Sequence, residues 1–206
     1  PPRPDVGRAH ALDAADFLIA LSHERPGTLH VAAVGPLTNL AIAAQRDPGF
    51  ADRIACLHIL GGAFEAPGNI TPHAEANIFN DAEAARIVAQ SYPRLSFIGL
   101  DVTDRIPLTR TDCARLAAAN PAWSDFIQQI SGYYIDFYAS VGRHEGAGLH
   151  DPVTLMSILM PDMFRFQTGQ ISVTTDGEEF GRTRLAYGSS NQRVALAAEY
   201  QPLRAL

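Results

Sequence analysis

The sequence has few of the features that would tie a protein to a disulfide scaffold or a membrane. Its 206 residues include two cysteines, Cys56 and Cys113, which lie far apart and outside any CxxC or cysteine–histidine ligand spacing. We therefore expect two buried free thiols in a reducing compartment. No apolar run reaches the roughly 20 residues of a membrane span, and residues 1–10 lack the parts of a signal peptide. These absences predict a cytoplasmic protein with no membrane partner.

Basic residues are also scarce. Sixteen Lys and Arg stand against 22 Asp and Glu, so the net charge is -6. No Lys or Arg cluster lies on a predicted helix face, and this balance argues against nucleic acid as a partner. Charged residues make up only 18% of the chain and hydrophobic residues 47%, a composition typical of packed globular proteins. At this length, residues 1–206 are predicted to form a single domain.

Several common catalytic motifs are missing. The chain contains no GxGxxG, GxxxxGK[ST], HExxH or GxSxG sequence and no EF-hand loop. Dinucleotide-binding, P-loop, zinc-protease, α/β-hydrolase and EF-hand functions therefore lack their central residues.

The regular pattern that is present consists of apolar runs alternating with amphipathic segments. The runs at 29–34, 54–60 and 95–100 each end at Gly or Asp, as buried strands do. Helical patterns at 36–45 and 81–91 separate them, which predicts an α/β fold with an open, mostly parallel sheet flanked by helices. Residues 164–200 read as short strands joined by turns near a sheet edge, and residues 1–10 as a surface loop.

A longer helix is predicted over residues 122–142. Its apolar residues recur at steps of three and four positions, and we expect most of them to lie in the core. They are Phe126, Ile130, Tyr133 or Tyr134, and Phe137.

Polar residues concentrate in the connection that follows the second apolar run. The segment GNITPHAEANIFNDAEAA, residues 68–85, shows no helical or strand period before Asn80. Asn69, Glu75 and Asn77 offer two amides and a carboxylate, a set suited to binding hydroxyl groups. The alternative is that they cap turns and helices, which is the role we expect for Asn80 and Asp81.

A second polar group lies in LHDPVTLM, residues 149–156. Asp151 before Pro152 predicts a helix start with the carboxylate as its cap. His150 is not explained in that way, and it is either a proton donor beside a carboxylate or a structural histidine.

Four segments in this order carry a resemblance to a known family. AVGPLTNLA (33–41), LGGAFEAPGNITPHAEANIFNDAEAA (60–85), GLDVT (99–103) and LHDP (149–152) resemble the calcium-dependent nucleoside hydrolases of the inosine-uridine preferring type. TTDGEEFGRT, near the end of the chain, is similar to a late segment of the same family. The resemblance implies a Rossmann-like nucleoside hydrolase fold and cleavage of ribonucleosides to ribose and free base.

The resemblance also implies a role for each matched position. It assigns Asn69, Glu75 and Asn77 to the ribose hydroxyls, with Leu60 under the sugar, and it assigns His150 to protonation of the leaving base, with Tyr138 beside that base. It implies two oxygen ligands of a calcium ion, the carboxylate of Asp151 and the backbone carbonyl of Val34. Leu60 stands where the family often has Met, and Ala76 where it often has Phe, so both departures concern packing.

The family's N-terminal DxDxxxDD motif has no counterpart in these 206 residues. We therefore expect the chain to represent the C-terminal two-thirds of a nucleoside hydrolase domain and to be inactive alone. The alternative is a catalytically inactive remnant that acts as a binding or assembly protein. Family members are commonly dimers or tetramers, so a homo-oligomer is expected. His150 and the presence of a single tryptophan, Trp123, favour an inosine-uridine or pyrimidine preference, while the base itself stays open.

Overall fold

The computed structural model describes residues 10–142 and 146–199. Its helices and strands, in chain order, are α1 (Ala14–Glu24), β1 (His30–Ala33), α2 (Thr38–Arg46), α3 (Phe50–Arg53), β2 (Cys56–Leu60), α4 (Ala76–Asn80), α5 (Ala82–Ser91), β3 (Leu95–Ile98), α6 (Leu100–Thr103), β4 (Pro107–Leu108), α7 (Arg110–Ala119), α8 (Ser124–Ser140), β5 (Ala147–Gly148), α9 (Asp151–Leu159), β6 (Phe164–Val173), β7 (Thr183–Tyr187) and β8 (Gln192–Ala198). The surface loop predicted for residues 1–10 lies, apart from His10, outside the described residues.

A mixed sheet of six strands, in the order β1-β2-β3-β8-β6-β7, organises the fold. β1, β2, β3 and β8 are parallel to one another, whereas β6 runs antiparallel to both β8 and β7. The register pairs Ala33 with Ile59 and Leu60 with Ile98, so the carboxyl ends of the first three strands lie level. The predicted open, mostly parallel α/β sheet with a β-rich C-terminal segment is confirmed.

The two faces of the sheet carry different side chains because strand residues alternate in direction. On β2, Leu57 and Ile59 are fully buried in the main core, which α2 and α5 also line. His58, between them, points the other way and contacts Ser157 of α9 through a hydrogen bond of 3.2 Å. Helices therefore cover both faces, as the continuous apolar runs indicated.

Two strands lie in different environments from those predicted. β1 was expected to be buried on both faces, but His30 is exposed and the rest of the strand is half-buried, because β1 pairs only with β2 within the described chain. β8 was expected near an edge, yet it lies between β3 and β6, with Val194 and Ala195 fully buried. A run of apolar residues indicates that a segment is hydrophobic, but it does not indicate which strands or helices will pack against it.

The prediction of a core position for the aromatic residues of α8 is wrong. Phe126, Ile130, Tyr133 and Phe137 are between 52% and 79% exposed, and Tyr134 is 40% exposed. They form an apolar stripe because residues three and four positions apart share one helix face. The face buried against the rest of the protein is narrower and carries Ser131 and Ile135.

Both cysteines are free thiols, but the predicted burial holds only for Cys113, since Cys56 at the start of β2 is half-buried. Asp81 caps α5 as predicted, its carboxylate accepting a bond of 3.0 Å from the Ala84 N–H. Asn80 does not cap that helix, because it is the last residue of α4. The short helix α4 itself lies where no helical period was recognised.

Candidate active site

The candidate site lies at the carboxyl ends of the parallel strands, the edge where open α/β sheets bind ligands. Val34 follows β1, Leu60 ends β2, and the turn into α6 follows β3. A hydrogen bond of 2.9 Å from the Leu100 N–H to the Gly62 carbonyl joins the loops that leave β2 and β3. This bond holds the two loops, and the candidate residues on them, next to each other at the edge of the sheet.

Glu75 lies at the centre of the ribose-binding candidates and is 5% exposed. It caps α4: Oε1 accepts from the Asn77 N–H at 3.0 Å, and Oε2 accepts from the N–H groups of Ile78 and Gly62, each at 3.2 Å. Burial raises the pKa of the Glu75 carboxyl above its ordinary value of 4.5, against the opposing effect of these N–H groups. A carboxylate has about four acceptor positions, so a position on Oε1 is left for a hydroxyl donor.

The two asparagines are each fixed by one hydrogen bond that leaves the other half of the amide available. Asn69 Oδ1 accepts from the Ala76 N–H at 2.9 Å, and Asn77 Nδ2 donates to the Leu60 carbonyl at 3.1 Å. These partners orient both amides, because an N–H only donates and a carbonyl only accepts. Asn69 therefore presents its NH₂ donors, and Asn77 presents its Oδ1 acceptor.

Together these three side chains offer one pair of donors and two acceptors, which matches hydroxyl groups that both donate and accept. The structure brings Asn69, Glu75, Asn77 and Leu60 into one cluster. The side chain of Leu60 is 5% exposed, and its carbonyl orients Asn77. The alternative capping role also holds in part, since Glu75 is a helix cap.

His150 belongs to a second cluster. Its Nε2 is 2.8 Å from the Tyr138 hydroxyl, and its Nδ1 is 2.8 Å from Thr103 Oγ1. Tyr134 donates to the Tyr138 hydroxyl at 3.3 Å. The structure thus brings His150 and Tyr138 together, and it adds Thr103 from α6.

A cavity of about 400 Å³ opens beside His150 and Asp151. The α8 residues Ile130, Tyr133 and Tyr134 also line this cavity, so it has an apolar and aromatic wall in addition to the imidazole. Such a wall suits a planar aromatic group. A larger cavity of about 710 Å³ lies near Gln192, where β3 and β8 begin, and so at the other end of the sheet.

The predicted role of Asp151 as a helix cap is wrong. Asp151 is the first residue of α9, His150 occupies the cap position, and no side chain caps this end. The Asp151 side chain is exposed, and so is Val34, which follows β1. The Asp151 carboxylate therefore makes no capping hydrogen bond to the start of α9.

The described residues do not form a metal centre by themselves. Residues 10–142 and 146–199 contain no group of three or more His, Cys, Asp or Glu side chains placed to hold a metal ion. One carboxylate from Asp151 and one carbonyl from Val34 fall short of the roughly six to eight oxygens that calcium takes.

Sequence reasoning missed the role of Asp101, although it lies inside the recognised GLDVT segment. Asp101 is 1% exposed, and its carboxylate accepts hydrogen bonds from three successive N–H groups of the loop after β2. The available signal was its position directly after an apolar strand at the ligand-binding edge. Its partners, more than thirty residues earlier, were not readable from the sequence.

Comparison with known proteins identifies the family. The profile of the inosine-uridine preferring nucleoside hydrolases matches residues 1–203. The chain belongs to this family. It is 37% identical over 175 residues to uridine nucleosidase 1 of Arabidopsis thaliana, an alignment that covers 85% of the chain and 52% of that protein. It is 34% identical over 170 residues to the pyrimidine-specific ribonucleoside hydrolase of Salmonella newport, covering 80% and 53% respectively.

Solved nucleoside hydrolases share the fold. A plant nucleoside hydrolase superposes with a TM-score of 0.90 at 29% identity, over 98% of the chain and 68% of that structure. The purine-preferring ribonucleoside hydrolase from Gardnerella vaginalis gives a TM-score of 0.90 at 28% identity, over 99% and 65%. The chain spans about half the length of the curated relatives it matches. Within the described residues of this family member, no helix has the length and apolarity needed to cross a membrane.

Proposed function

We propose that the protein hydrolyses the N-glycosidic bond of ribonucleosides to give ribose and the free base. The observation that carries this proposal is the cluster of Asn69, Glu75 and Asn77 at the carboxyl edge of a nucleoside hydrolase sheet. Their uncommitted amide and carboxylate atoms complement vicinal hydroxyl groups in number and polarity. The substrate in this proposal is a small-molecule nucleoside.

The ribose cluster has a direct electrostatic role in such a reaction. Cleavage of a glycosidic bond builds positive charge on the sugar ring in the transition state. Glu75 is buried, so its ionised carboxylate interacts more strongly with that charge than it would in water. The stabilisation is larger in the transition state than in the ground state, which is the requirement for catalysis.

The leaving base needs a proton or a hydrogen-bond donor on the other side of the bond. We assign that role to His150, with Tyr138 beside the base. Thr103 at Nδ1 and Tyr138 at Nε2 fix the plane of the imidazole. The aromatic wall formed by Tyr133 and Tyr134 would contact the faces of the base.

We also propose calcium as the cofactor of the whole protein, with Asp151 and the Val34 carbonyl as two of its oxygen ligands. The other ligands would come from outside the described residues, since these do not complete a site. In the whole protein, a calcium ion held there would supply ligand positions for vicinal hydroxyls and would acidify a water.

The proposed base preference is for uridine and related pyrimidine nucleosides or inosine. Relatives named as a uridine nucleosidase and as a pyrimidine-specific hydrolase support this preference, and His150 offers a donor to the leaving base. A structural neighbour is named as purine-preferring, so the comparison must include purines. Rates of hydrolysis of uridine, cytidine, inosine and adenosine, measured with the intact protein, test the preference.

For the overall organisation, we propose that residues 1–206 form one domain that corresponds to the C-terminal two-thirds of a nucleoside hydrolase. We further propose a cytoplasmic location and a dimer or tetramer. Sedimentation velocity of the intact protein tests the oligomer.

The 206-residue chain and the protein encoded with any residues upstream of Pro1 should be assayed side by side with uridine. Hydrolysis by the longer protein and none by the chain alone is the expected result. No hydrolysis by either, in the presence of calcium, would favour the inactive binding protein. His150→Ala should lower the rate by roughly 100-fold or more if His150 is a general acid.

A further inference from the structure

The loop that follows β2 is held through every amide of residues 62–66. Gly62 donates to Glu75 at 3.2 Å, and Ala63 donates to Thr183 Oγ1 at 3.0 Å. The next three N–H groups all donate to the Asp101 carboxylate: Phe64 at 3.0 Å, Glu65 at 2.7 Å and Ala66 at 2.9 Å. This loop leads directly to Asn69, so its position sets the position of the ribose cluster.

Asp101 and this loop depend on each other. A carboxylate that is 1% exposed is stable only when hydrogen-bond donors replace its lost water. Three consecutive N–H groups converging on one carboxylate require the loop backbone to curl around it. Without the carboxylate, these three N–H groups would lose their charged acceptor. The loop would then lose the interaction that keeps its backbone curled.

The backbone around Asp101 leaves little room for adjustment. A Cβ added at Gly99 would lie 2.5 Å from the Gly62 carbonyl oxygen and 3.0 Å from Asp101 Oδ2. Gly62 has a φ of 87°, a conformation that L side chains rarely adopt. The start of α6 and the loop after β2 therefore meet at van der Waals contact through backbone atoms.

The same short helix also contacts the other half of the site. Thr103, at the end of α6, is fully buried and lies 2.8 Å from His150 Nδ1. Asp101 and Thr103 are two residues apart on one turn of helix. Their separation is fixed by the backbone, so α6 connects the ribose side of the site to the leaving-group side.

We propose that Asp101 is a positioning residue for the ribose side of the site, and that α6 sets the spacing between that side and His150. The inference rests on the proposed function, because positioning matters only for a reaction that uses both halves. Asp101 itself touches no reacting atom. Its carboxylate acts through the loop backbone, and Thr103 acts through the imidazole.

Two variants of α6 in the intact protein separate these roles. Asp101→Asn keeps the size of the side chain but replaces an acceptor oxygen by an NH₂ group that faces N–H donors. Thr103→Val keeps the shape and removes the hydroxyl. The charge control is Asp52→Asn, which changes an exposed carboxylate on α3.

The two substrates are uridine and an aryl riboside such as 4-nitrophenyl riboside, whose leaving group departs without protonation. We expect Asp101→Asn to lower kcat/KM by roughly 10-fold to 100-fold on both substrates, because it displaces the sugar. Thr103→Val should lower kcat on uridine by about 10-fold and leave the aryl riboside within about 2-fold. Asp52→Asn should match the wild type.

Hydrogen exchange of the loop amides provides a second readout that does not need activity. Asp101→Asn should speed exchange of residues 64–66 while the amides of β2 and β3 keep their protection. The inference is overturned if a folded Asp101→Asn protein keeps wild-type kcat/KM on both substrates. It is also overturned if exchange rises throughout the sheet, which would mean a general structural role. If the wild type hydrolyses no nucleoside, the proposed function fails, and the exchange pattern still decides whether Asp101 holds the loop.

Discussion

Replacing Glu75 by Gln separates the contribution of this carboxylate to stability from its contribution to function. The carboxylate accepts three N–H hydrogen bonds, and Gln can keep the two at Oε2 if its oxygen takes that place. The bond from the Asn77 N–H is then lost, at about 1.5–3 kcal/mol for a charged acceptor. Against this, Gln carries no charge, and the raised pKa of Glu75 means that the buried charge is less stable there than in water.

The two effects have opposite signs, so we expect Glu75→Gln to cost less at pH 7 than the roughly 1.5–3 kcal/mol of the lost hydrogen bond. Glu75→Ala is the matched comparison. It removes the α4 cap and leaves three N–H groups without acceptors, which costs about 3 kcal/mol or more. Urea unfolding followed by circular dichroism measures both values on the 206-residue chain. Equal destabilisation by Gln and Ala would refute this reasoning.

The pH dependence gives an independent check of the same argument. A carboxyl whose folded pKa exceeds its unfolded value of 4.5 binds its proton more tightly in the folded protein. Wild-type stability relative to Glu75→Gln should therefore fall as the pH rises from 4.5 through the folded pKa. A relative stability that rises over this window would mean that the three N–H groups outweigh the effect of burial on the Glu75 carboxylate. In the intact protein, Glu75→Gln should abolish most nucleoside hydrolysis, since the neutral amide cannot offset charge on the ribose.

Three further substitutions test other contacts by the same unfolding assay. Burial, followed by the charges of His30 and Arg193, lowers the pKa of His58 to about 4, so the folded protein loses stability as the pH falls from 6.5 towards 4. His58→Gln should remove at most about 3 kcal/mol of that loss. An unchanged dependence of stability on acid pH would contradict this role of His58. Tyr92 is fully buried and donates to the Leu40 carbonyl at 2.7 Å; Tyr92→Phe should cost about 1–2 kcal/mol, whereas a neutral result would mean that water replaces the hydroxyl. Asp81 caps α5, and its carboxylate accepts a hydrogen bond from the Thr38 hydroxyl. Asp81→Ala should lower the free energy of unfolding by about 1 kcal/mol and Asp81→Asn by less, because Asn also caps helices. Equal losses for the two variants would mean that the charge of Asp81 matters instead of its cap.

The sheet was the part of the fold most readable from sequence, because its central strands are buried on both faces. The run ending at Leu60 became β2 and that ending at Leu100 became β3, with the strand ends within two residues of those predicted. The run at 29–34 was read in the same way, yet β1 is only half-buried. Burial of a strand depends on what packs beside it, and apolar residues do not specify that neighbour.

The aromatic residues of α8 illustrate the same limit for helices. A period of three and four predicts which residues share a face, and that prediction held for Phe126, Ile130 and Phe137. It does not predict which face is buried. Within the described chain, the buried face is the one with Ser131 and Ile135, because α8 packs on α7 and β5 through a narrow strip. Part of the aromatic face instead lines the cavity beside His150.

In the candidate site too, residues with local hydrogen-bond partners were predictable from the sequence, whereas residues with distant partners were not. Asn69, Glu75 and Asn77 were recognisable because they lie within nine positions of one another, and their backbone partners are mostly local. The partners that join the two halves of the site are remote: Asp101 binds amides 35 to 37 residues earlier, and Thr103 meets His150 47 residues later. The pairing of β2 with β3 brings Asp101 near its amides, and the pairing of β4 with β5 lies next to the contact between Thr103 and His150. Residues that bind substrate can therefore be proposed from a motif, whereas the residues that hold them in place emerge only from the folded sheet.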